Sequence, residues 1–256
     1  MSVTLQITKS NVAVLVLNRP EKHNAFNEDV ISELIQCIEH ANSCDVRALV
    51  LKTQGKHFSA GADLNWMKSM AGNDFAENFA DSKQLAKLMH VLATSPHPTL
   101  CAVQGAAFGG ALGLIACCDI AICQDDAQFC LSEVKLGLIP AVISPYVIKA
   151  IGERAARRYF LTAEIFDAHT AKQLGLIHQV TGDLQTALDK HLQSLVNNGP
   201  IAVKAAKQLI NDVAGKAIDE TLIDLTAERI ARIRVSDEGQ EGLSAFFEKR
   251  SPNWQK

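Results

Sequence analysis

The sequence lacks the features typical of membrane, secreted and nucleic-acid-binding proteins. No apolar run approaches the roughly 20 residues that a membrane-spanning helix requires. The 25 basic and 28 acidic residues give a formal net charge of −3 and form no block of one sign, so nucleic acid is not an expected partner. Residues 1–8 alternate like a short strand and not like a secretory leader, and we therefore expect a cytoplasmic protein.

The cysteines and histidines show no spacing typical of a metal site or a nucleophilic enzyme. The seven cysteines are odd in number and mostly lie in apolar runs, which predicts buried, reduced thiols. Cys117 and Cys118 are adjacent, and no histidine is close to them in the sequence, so no metal is expected. His23, His57 and His97 have no convincing serine or cysteine partner for nucleophilic catalysis.

Apolar periodicity predicts an α/β chain in which a strand-strand-helix unit recurs. Strands are expected at residues 4–8, 12–17, 48–52, 99–103, 119–123 and 128–131, and helices at residues 27–42, 74–94 and 110–116. Ser144 and Pro145 resemble an N-cap and a first helical proline, and the chain then reads as helical almost to its end. The recurring unit indicates a spiral of turns, with a sheet-rich part at residues 1–190 and a helical part at residues 191–256.

Two glycine-rich stretches, at residues 59–63 and 104–113, carry the strongest functional signal. Small residues let a ligand lie directly on the backbone, and two N–H groups aimed at one carbonyl oxygen form an oxyanion hole. We expect one donor near Ala62 and the other where Gly109 and Gly110 begin a helix, whose first N–H groups are unpaired. The alternatives are an ordinary tight turn and close helix packing. The glycine spacing does not match a dinucleotide-binding fingerprint.

Glu133 is a carboxylate within the largely apolar segment 129–140. Apolar neighbours raise the pKa of a carboxyl group, which suits proton transfer near neutral pH. The alternative is a surface ion pair with Lys135 on the same strand face. With the glycine stretches, Glu133 indicates an enzyme that stabilises a thioester enolate and moves a proton beside it. Trp66 and Met67 are candidates either for an acyl pocket or for the packing of the helix that follows.

Taken together, these residues resemble the crotonase superfamily, the enoyl-CoA hydratases and isomerases, over nearly the whole chain. Residues 18–26 look like its first coenzyme A loop, residues 58–64 and 105–110 like its two oxyanion motifs, residues 132–140 like its glutamate segment and residues 238–250 like its C-terminal helix signature. The resemblance implies a crotonase-like spiral of repeated ββα units and a helical C-terminal trimerisation region. It also implies a homo-oligomer, either a trimer or a dimer of trimers.

The resemblance also implies roles for individual residues. An acyl-CoA thioester would place its oxygen between the N–H groups of Ala62 and Gly110, with Glu133 as the catalytic carboxylate. Other residues would contact coenzyme A, the last two of them from a neighbouring subunit: Lys22, Ala60, Asp63, Leu64, Phe246 and Lys249. No cofactor is implied, because coenzyme A is part of the substrate.

One position departs from the hydratase pattern of the superfamily. Typical hydratases have a second glutamate three residues after the second oxyanion glycine, and here that position is Gly113. A single carboxylate also resembles the enoyl-CoA isomerases of the superfamily. Residues 61–67, 108–113 and 140–146 look most like bacterial methylglutaconyl-CoA hydratases and their carboxygeranoyl-type relatives, which act in leucine and acyclic terpene breakdown. Residues 141–144 replace the usual glycine-rich run, which implies a pocket for a branched acyl group, and we expect Trp66, Met67 and Gly113 to line it.

The leading expectation is therefore hydration of a branched or carboxylated 2-enoyl-CoA by an oxyanion hole and one glutamate. The first alternative is a Δ3,Δ2-enoyl-CoA isomerase. The second is a non-catalytic member of the superfamily that binds coenzyme A or RNA, against which the near-balanced charge and the retained Glu133 both argue.

Overall fold

The computed structural model describes residues 1–255, in which nine strands and ten α-helices alternate. The strands are β1 (Val3–Ile7), β2 (Val12–Leu17), β3 (Ala48–Thr53), β4 (Thr99–Val103), β5 (Ala106–Phe108), β6 (Ile120–Gln124), β7 (Gln128–Cys130), β8 (Phe166–Asp167) and β9 (Gln179–Thr181). The helices are α1 (Glu28–Ser43), α2 (Leu64–Met70), α3 (Phe75–Ala93), α4 (Gly110–Cys117), α5 (Ser144–Thr162), α6 (Ala168–Leu174), α7 (Leu184–Asn197), α8 (Pro200–Val213), α9 (Glu220–Val235) and α10 (Asp237–Glu248). Short 3-10 helices occupy Pro20–Lys22, Glu133–Leu136 and Asn253–Gln255.

The strands form two sheets that the chain visits in turn. The larger sheet has the order β1-β2-β3-β4-β6-β9 and is parallel except for the β1–β2 pair. The smaller sheet has the order β5-β7-β8, with a parallel β5–β7 pair. β4 leads into β5 and β6 into β7, so each of these two turns of the chain adds one strand to each sheet. This arrangement confirms the predicted α/β spiral.

Local sequence signals explain why the first and third helices form where they do. The Asn27 side chain accepts a hydrogen bond from the Val30 N–H at 3.0 Å and so caps the N-terminus of α1. The apolar residues Val30, Leu34, Ile38 and Ala41 recur at helical spacing along α1, and all four are buried. Asp74 and Glu77 form a reciprocal capping box at the start of α3, each accepting from the other's backbone at 2.9 Å.

The larger sheet is covered on both faces, which is why its central strands read as continuous apolar runs. One face packs in the main core with α1, α3 and α4. The other face, at Val50 and Leu100, packs against Ala187 and Leu188 of α7. The predicted division at residue 190 falls within α7, and it stays a prediction.

Several short elements differ from the sequence predictions. Strands β5, β8 and β9 were not predicted, because two or three residues carry too little alternation to be distinguished from loop or helix. Ser144 is the first residue of α5 and not its N-cap, which is Ile143. Gly152, with a φ of 77°, interrupts α5.

The cysteines of the chain are all free thiols. Five of them are buried, whereas Cys37 and Cys44 are half-buried. Within residues 1–255 no three His, Cys, Asp or Glu side chains lie together as a metal-binding group. None of the helices described is both long and apolar enough to cross a membrane.

Candidate active site

The first glycine stretch forms a turn that leaves one backbone N–H unpaired. The Phe26 N–H donates to the Gly61 carbonyl at 2.7 Å, and the Asp63 N–H donates to the Phe26 carbonyl at 2.7 Å. The N–H of Ala62 lies between these bonds and donates to no acceptor among the described residues. Gly61 has a φ of 92°, and a Cβ there would stand 3.1 Å from the Phe108 carbonyl oxygen, so both conformation and space favour glycine.

The second glycine stretch leaves a matching N–H at the start of a helix. Gly109 has a φ of 55°, and its N–H donates to the Cys130 carbonyl at 2.8 Å. Gly110 is the first residue of α4, and no side chain caps this end of the helix. The Gly110 N–H therefore has no acceptor within the described chain, and it lies at the positive end of the helix dipole.

Both unpaired N–H groups border one cavity of about 380 Å³. Helices α2 and α3 form one wall, and the segment around the 3-10 helix Glu133–Leu136 forms another. The lining is mostly apolar: Phe26, Ala60, Gly61, Ala62, Leu64, Trp66, Met67, Met70, Asp81, Ser82, Leu85, Gly109, Gly110, Ser132, Glu133, Leu136, Leu138, Ile139, Pro140, Ala141, Val142 and Ile143. The cavity thus brings together Ala62, Gly110 and Glu133, as the sequence predicts.

The carboxyl group of Glu133 lies beside the second oxyanion glycine motif. Its Oε1 is 3.2 Å from the point that a Cβ of Gly109 would occupy. Its Oε2 is buried and has no hydrogen-bond partner. Burial raises the pKa of this carboxyl group above the ordinary glutamate value, in the direction predicted. The alternative of a surface ion pair with Lys135 is not observed, because Glu133 begins a 3-10 helix and points inward.

The residues predicted along the coenzyme A path separate into two groups. Ala60 and Leu64 line the cavity and are exposed. Asp63 is buried, accepts from the Asn65 N–H at 2.8 Å as the N-cap of α2, and pairs with Arg19 at 3.3 Å. The hydrogen bond from the Asn65 backbone is the main cause that holds the pKa of Asp63 below its ordinary value. Asp63 therefore braces the turn, and Lys22 lies exposed outside the cavity lining.

Gly113 does not reach the cavity, contrary to its predicted place in the acyl pocket. It is buried, and a Cβ there would overlap Cγ2 of Ile143 and stand 2.8 Å from its Cβ and 3.0 Å from Sδ of Met89. Ile143, and not Gly113, lines the cavity at this point. Trp66 and Met67 do line it.

Two further predicted residues lie on the last long helix. Phe246 is exposed on α10, and Lys249 forms its left-handed C-cap. Neither residue lines the cavity of its own chain. Their contribution from a neighbouring subunit stays a prediction.

Helix α3 contributes to the cavity, which the sequence analysis does not predict. Asp81 and Leu85 both line it, and Met89 is buried on the same face of the helix. The spacing of four residues between them was a usable signal for a shared helix face. It could not show which cavity that face borders. Phe26 was likewise assigned only to a coenzyme A loop, although its ring lines the cavity.

Comparisons with known proteins show the family to which the chain belongs. The family model described as enoyl-CoA hydratase/isomerase matches residues 7–256. The crystal structure of an enoyl-CoA hydratase from Shewanella pealeana is 55% identical, with a TM-score of 0.96 over 99% of this chain and 96% of that one. The 2,3-dehydroadipyl-CoA hydratase of Escherichia coli is 30% identical over 99% of both chains. A mitochondrial Delta(3,5)-Delta(2,4)-dienoyl-CoA isomerase of Dictyostelium discoideum is 31% identical over 94% of this chain and 86% of its own length. With this fold and these relatives, the chain belongs to the enoyl-CoA hydratase/isomerase family of enzymes.

Proposed function

We propose that this protein hydrates a branched or carboxylated 2-enoyl-CoA. One observation carries the proposal: Ala62 and Gly110, whose backbone N–H groups have no acceptors, line the same cavity as Glu133, whose carboxyl group has a buried oxygen without a partner. Hydrogen-bond donors without partners beside a buried carboxylate fit a reaction in which a carbonyl oxygen gains negative charge while a proton is moved nearby. Addition of water to a double bond conjugated with a thioester carbonyl meets both requirements, because water supplies the proton and the carbonyl oxygen takes up the charge.

The two N–H groups would stabilise the charge that develops during the reaction. When water adds at the β-carbon, electron density moves to the thioester oxygen and forms an enolate. Donors that are already in place bind this oxygen more strongly in the transition state than in the substrate. The start of α4 adds the partial positive charge of a helix N-terminus at Gly110.

Glu133 would move the proton. Its carboxylate takes a proton from the attacking water, whose oxygen bonds to the β-carbon. The same proton then passes from Glu133 to the α-carbon, so that one water is added in total and the glutamate is regenerated. The reaction in this form uses only substrate, water and this side chain, and coenzyme A enters as part of the substrate.

A Δ3,Δ2-enoyl-CoA isomerase is the second candidate, and the packing around Gly113 favours it. Ile143 and Met89 fill the space beside Gly113, so no second carboxylate stands next to Glu133 at that point. An isomerase needs one carboxylate, which takes a proton from the α-carbon of a 3-enoyl ester and returns it to the γ-carbon. The Dictyostelium discoideum relative carries an isomerase name.

Turnover of defined esters in isotopically labelled water distinguishes these reactions. The purified protein is incubated with 2-enoyl and 3-enoyl esters, including 3-methylglutaconyl-CoA. Hydration removes the absorbance of the conjugated thioester and adds one labelled water to the product mass. Isomerisation creates that absorbance from the 3-enoyl ester without a mass change. Tight RNA binding without turnover of any ester would instead indicate the non-catalytic alternative.

We also propose that the C-terminal helices hold the subunits together in a trimer or a dimer of trimers. Helices α8 and α9 have no buried residues in the single chain. Large apolar side chains are exposed along the C-terminal helices and in the loop between α8 and α9: Ile201, Ile210, Ile218, Ile223, Ile230, Val235, Leu243, Phe246 and Phe247. An apolar surface of this extent is typical of a subunit interface. Light scattering on the purified protein measures the mass, and a monomer would contradict the proposal.

A further inference from the structure

The cavity contains a second carboxylate, Asp81, which has no partner in the protein. Asp81 lies on α3 and is half-buried. It forms no hydrogen bond and no ion pair with any described residue. The capping of α3 does not need it, because Asp74 and Glu77 already form the capping box. The nearby Lys83 ammonium lies 5.8 Å from the centre of the Phe79 ring and forms no ion pair with Asp81.

Asp81 does not replace the glutamate that is missing at Gly113. Met89, which contacts the Gly113 position, lies two turns further along α3 from Asp81. Eight residues of helix rise by about 12 Å, so Asp81 lines the cavity well away from the buried Met89 that packs against Gly113. Asp81 therefore does not stand at the place of the missing glutamate.

The charges of the cavity lining have one sign. Asp81 and Glu133 are its ionisable members, and the described residues of the lining include no lysine, arginine or histidine. The remaining polar side-chain groups are neutral: the hydroxyls of Ser82 and Ser132 and the indole N–H of Trp66. A carboxylate on the acyl chain would enter a mostly apolar cavity with two negative charges and no cation to pair with. Like charges repel more strongly as the surroundings become less polar.

We propose that Asp81 is a specificity-determining residue that selects uncharged branched acyl chains and rejects those that carry a terminal carboxylate. This inference rests on the proposed function, because it narrows the substrate class of that same cavity. Asp81 acts here by charge and not by taking part in the chemical step. The neighbouring Ser82 offers a hydroxyl that any acyl chain can approach without repulsion.

Binding of two matched saturated esters tests the proposal without requiring turnover. Isovaleryl-CoA and 3-methylglutaryl-CoA differ by a terminal carboxylate, and titration calorimetry gives the Kd of each. Wild-type protein should bind isovaleryl-CoA about tenfold or more tightly than the carboxylated ester. Asp81→Asn keeps the size of the side chain and removes its charge, and it should reduce this ratio to within about threefold. Asp189→Asn, which removes the same charge at an exposed position of α7 outside the cavity lining, is the matched control and should leave the ratio unchanged.

Hydration of 3-methylcrotonyl-CoA and 3-methylglutaconyl-CoA gives the second measurement. Asp81→Asn should raise kcat/KM for the carboxylated ester about tenfold and alter kcat/KM for the neutral ester less than twofold. If Asp81→Asn does not fold, Asp81→Ser removes the same charge. Preference of the wild type for the carboxylated esters, or an unchanged ratio in both variants, would overturn the proposal. Selective binding without hydration of either ester would reject the proposed function and leave the role of Asp81 intact.

Discussion

The ring of Phe26 lies 3.5 Å from the point where a Cβ of Gly110 would stand. The backbone of the same residue is hydrogen-bonded on both sides of Ala62, to the Gly61 carbonyl and from the Asp63 N–H. Phe26 is therefore in contact with both glycine stretches that carry the unpaired N–H groups. Its packing fixes how far apart these two groups lie, which makes Phe26 a positioning residue of the proposed oxyanion hole.

Phe26→Leu should lower kcat by more than a general loss of core packing would explain. The smaller side chain no longer fills the space beside Gly110, and a misplacement of about 1 Å can cost on the order of 100-fold in rate. We expect kcat to fall at least tenfold, with KM changed less. Steady-state kinetics and urea unfolding of the same preparation measure both effects.

Phe166→Leu is the matched control for this prediction. Phe166 is also buried and packs on Tyr159, with ring centres 4.4 Å apart, but it does not line the cavity. Both variants should lose a comparable free energy of unfolding, while kcat falls only in Phe26→Leu. Equal losses of kcat would indicate a general effect of core packing.

Glu133→Gln should abolish turnover and retain the binding of acyl-CoA esters. The amide keeps the shape of the side chain but cannot take the proton from water, and a general base contributes about 10²–10⁴-fold to rate. A saturated ester should bind with an unchanged Kd, because the loss is confined to the transition state. Glu153→Gln, at an exposed glutamate of α5, should behave like the wild type. Wild-type turnover in Glu133→Gln would remove this residue from the mechanism.

The rate should fall with decreasing pH at a midpoint above that of an ordinary glutamate. The carboxylate form of Glu133 is the active base, and burial raises the pKa of this group from its ordinary value of 4.5. Protonation therefore inactivates the enzyme at a higher pH than an exposed glutamate would allow. The dependence of kcat/KM on pH reports this pKa in the free enzyme. An acid limb at or below pH 4.5 would contradict the buried environment of Glu133.

Gly113→Ala should destabilise the protein because Ile143 fills the space that a methyl group would need. Overpacking of this kind costs about 1–3 kcal/mol. Combining it with Ile143→Ala should recover part of the loss, so that the two changes are less than additive. Urea unfolding of both single variants and the double variant measures this coupling. At Gly72 the nearest atom to a Cβ is 3.7 Å away, and Gly72→Ala should be tolerated.

The sequence was sufficient for those features that depend on local pattern. The Asn27 cap and the buried face of α1 follow from residues within one helix. Glu133 could be identified because it is a charged residue within an apolar segment. Such a segment is expected to be buried, and charged side chains are rarely buried unless they are paired. Gly61 and Gly109 mark the two turns in the sequence because glycine adopts positive φ angles readily, and both residues have positive φ angles in the structure.

Other features depend on contacts between distant segments and could not be predicted in this way. Gly113 was assigned to the acyl pocket, but Ile143, thirty residues later, occupies the adjacent space. Asp81 reads as an ordinary exposed residue of a polar helix until the structure shows which cavity that helix borders. Strand β8 has two residues and exists only because it pairs with β7.

The unpartnered Oε2 of Glu133 also implies a trade-off between activity and stability. A carboxyl group whose pKa is higher in the folded than in the unfolded state favours folding less as the pH rises between these two values. Above the pKa of the folded state, where the group is ionised in both states, the full penalty of burying its charge opposes folding. Removing the charge should therefore raise the Tm of Glu133→Gln above that of the wild type in this pH range, and this gain should disappear below the pKa of an unfolded glutamate. The ionised carboxylate of Glu133, which is the proposed base, thus lowers the free energy of unfolding of the protein that uses it.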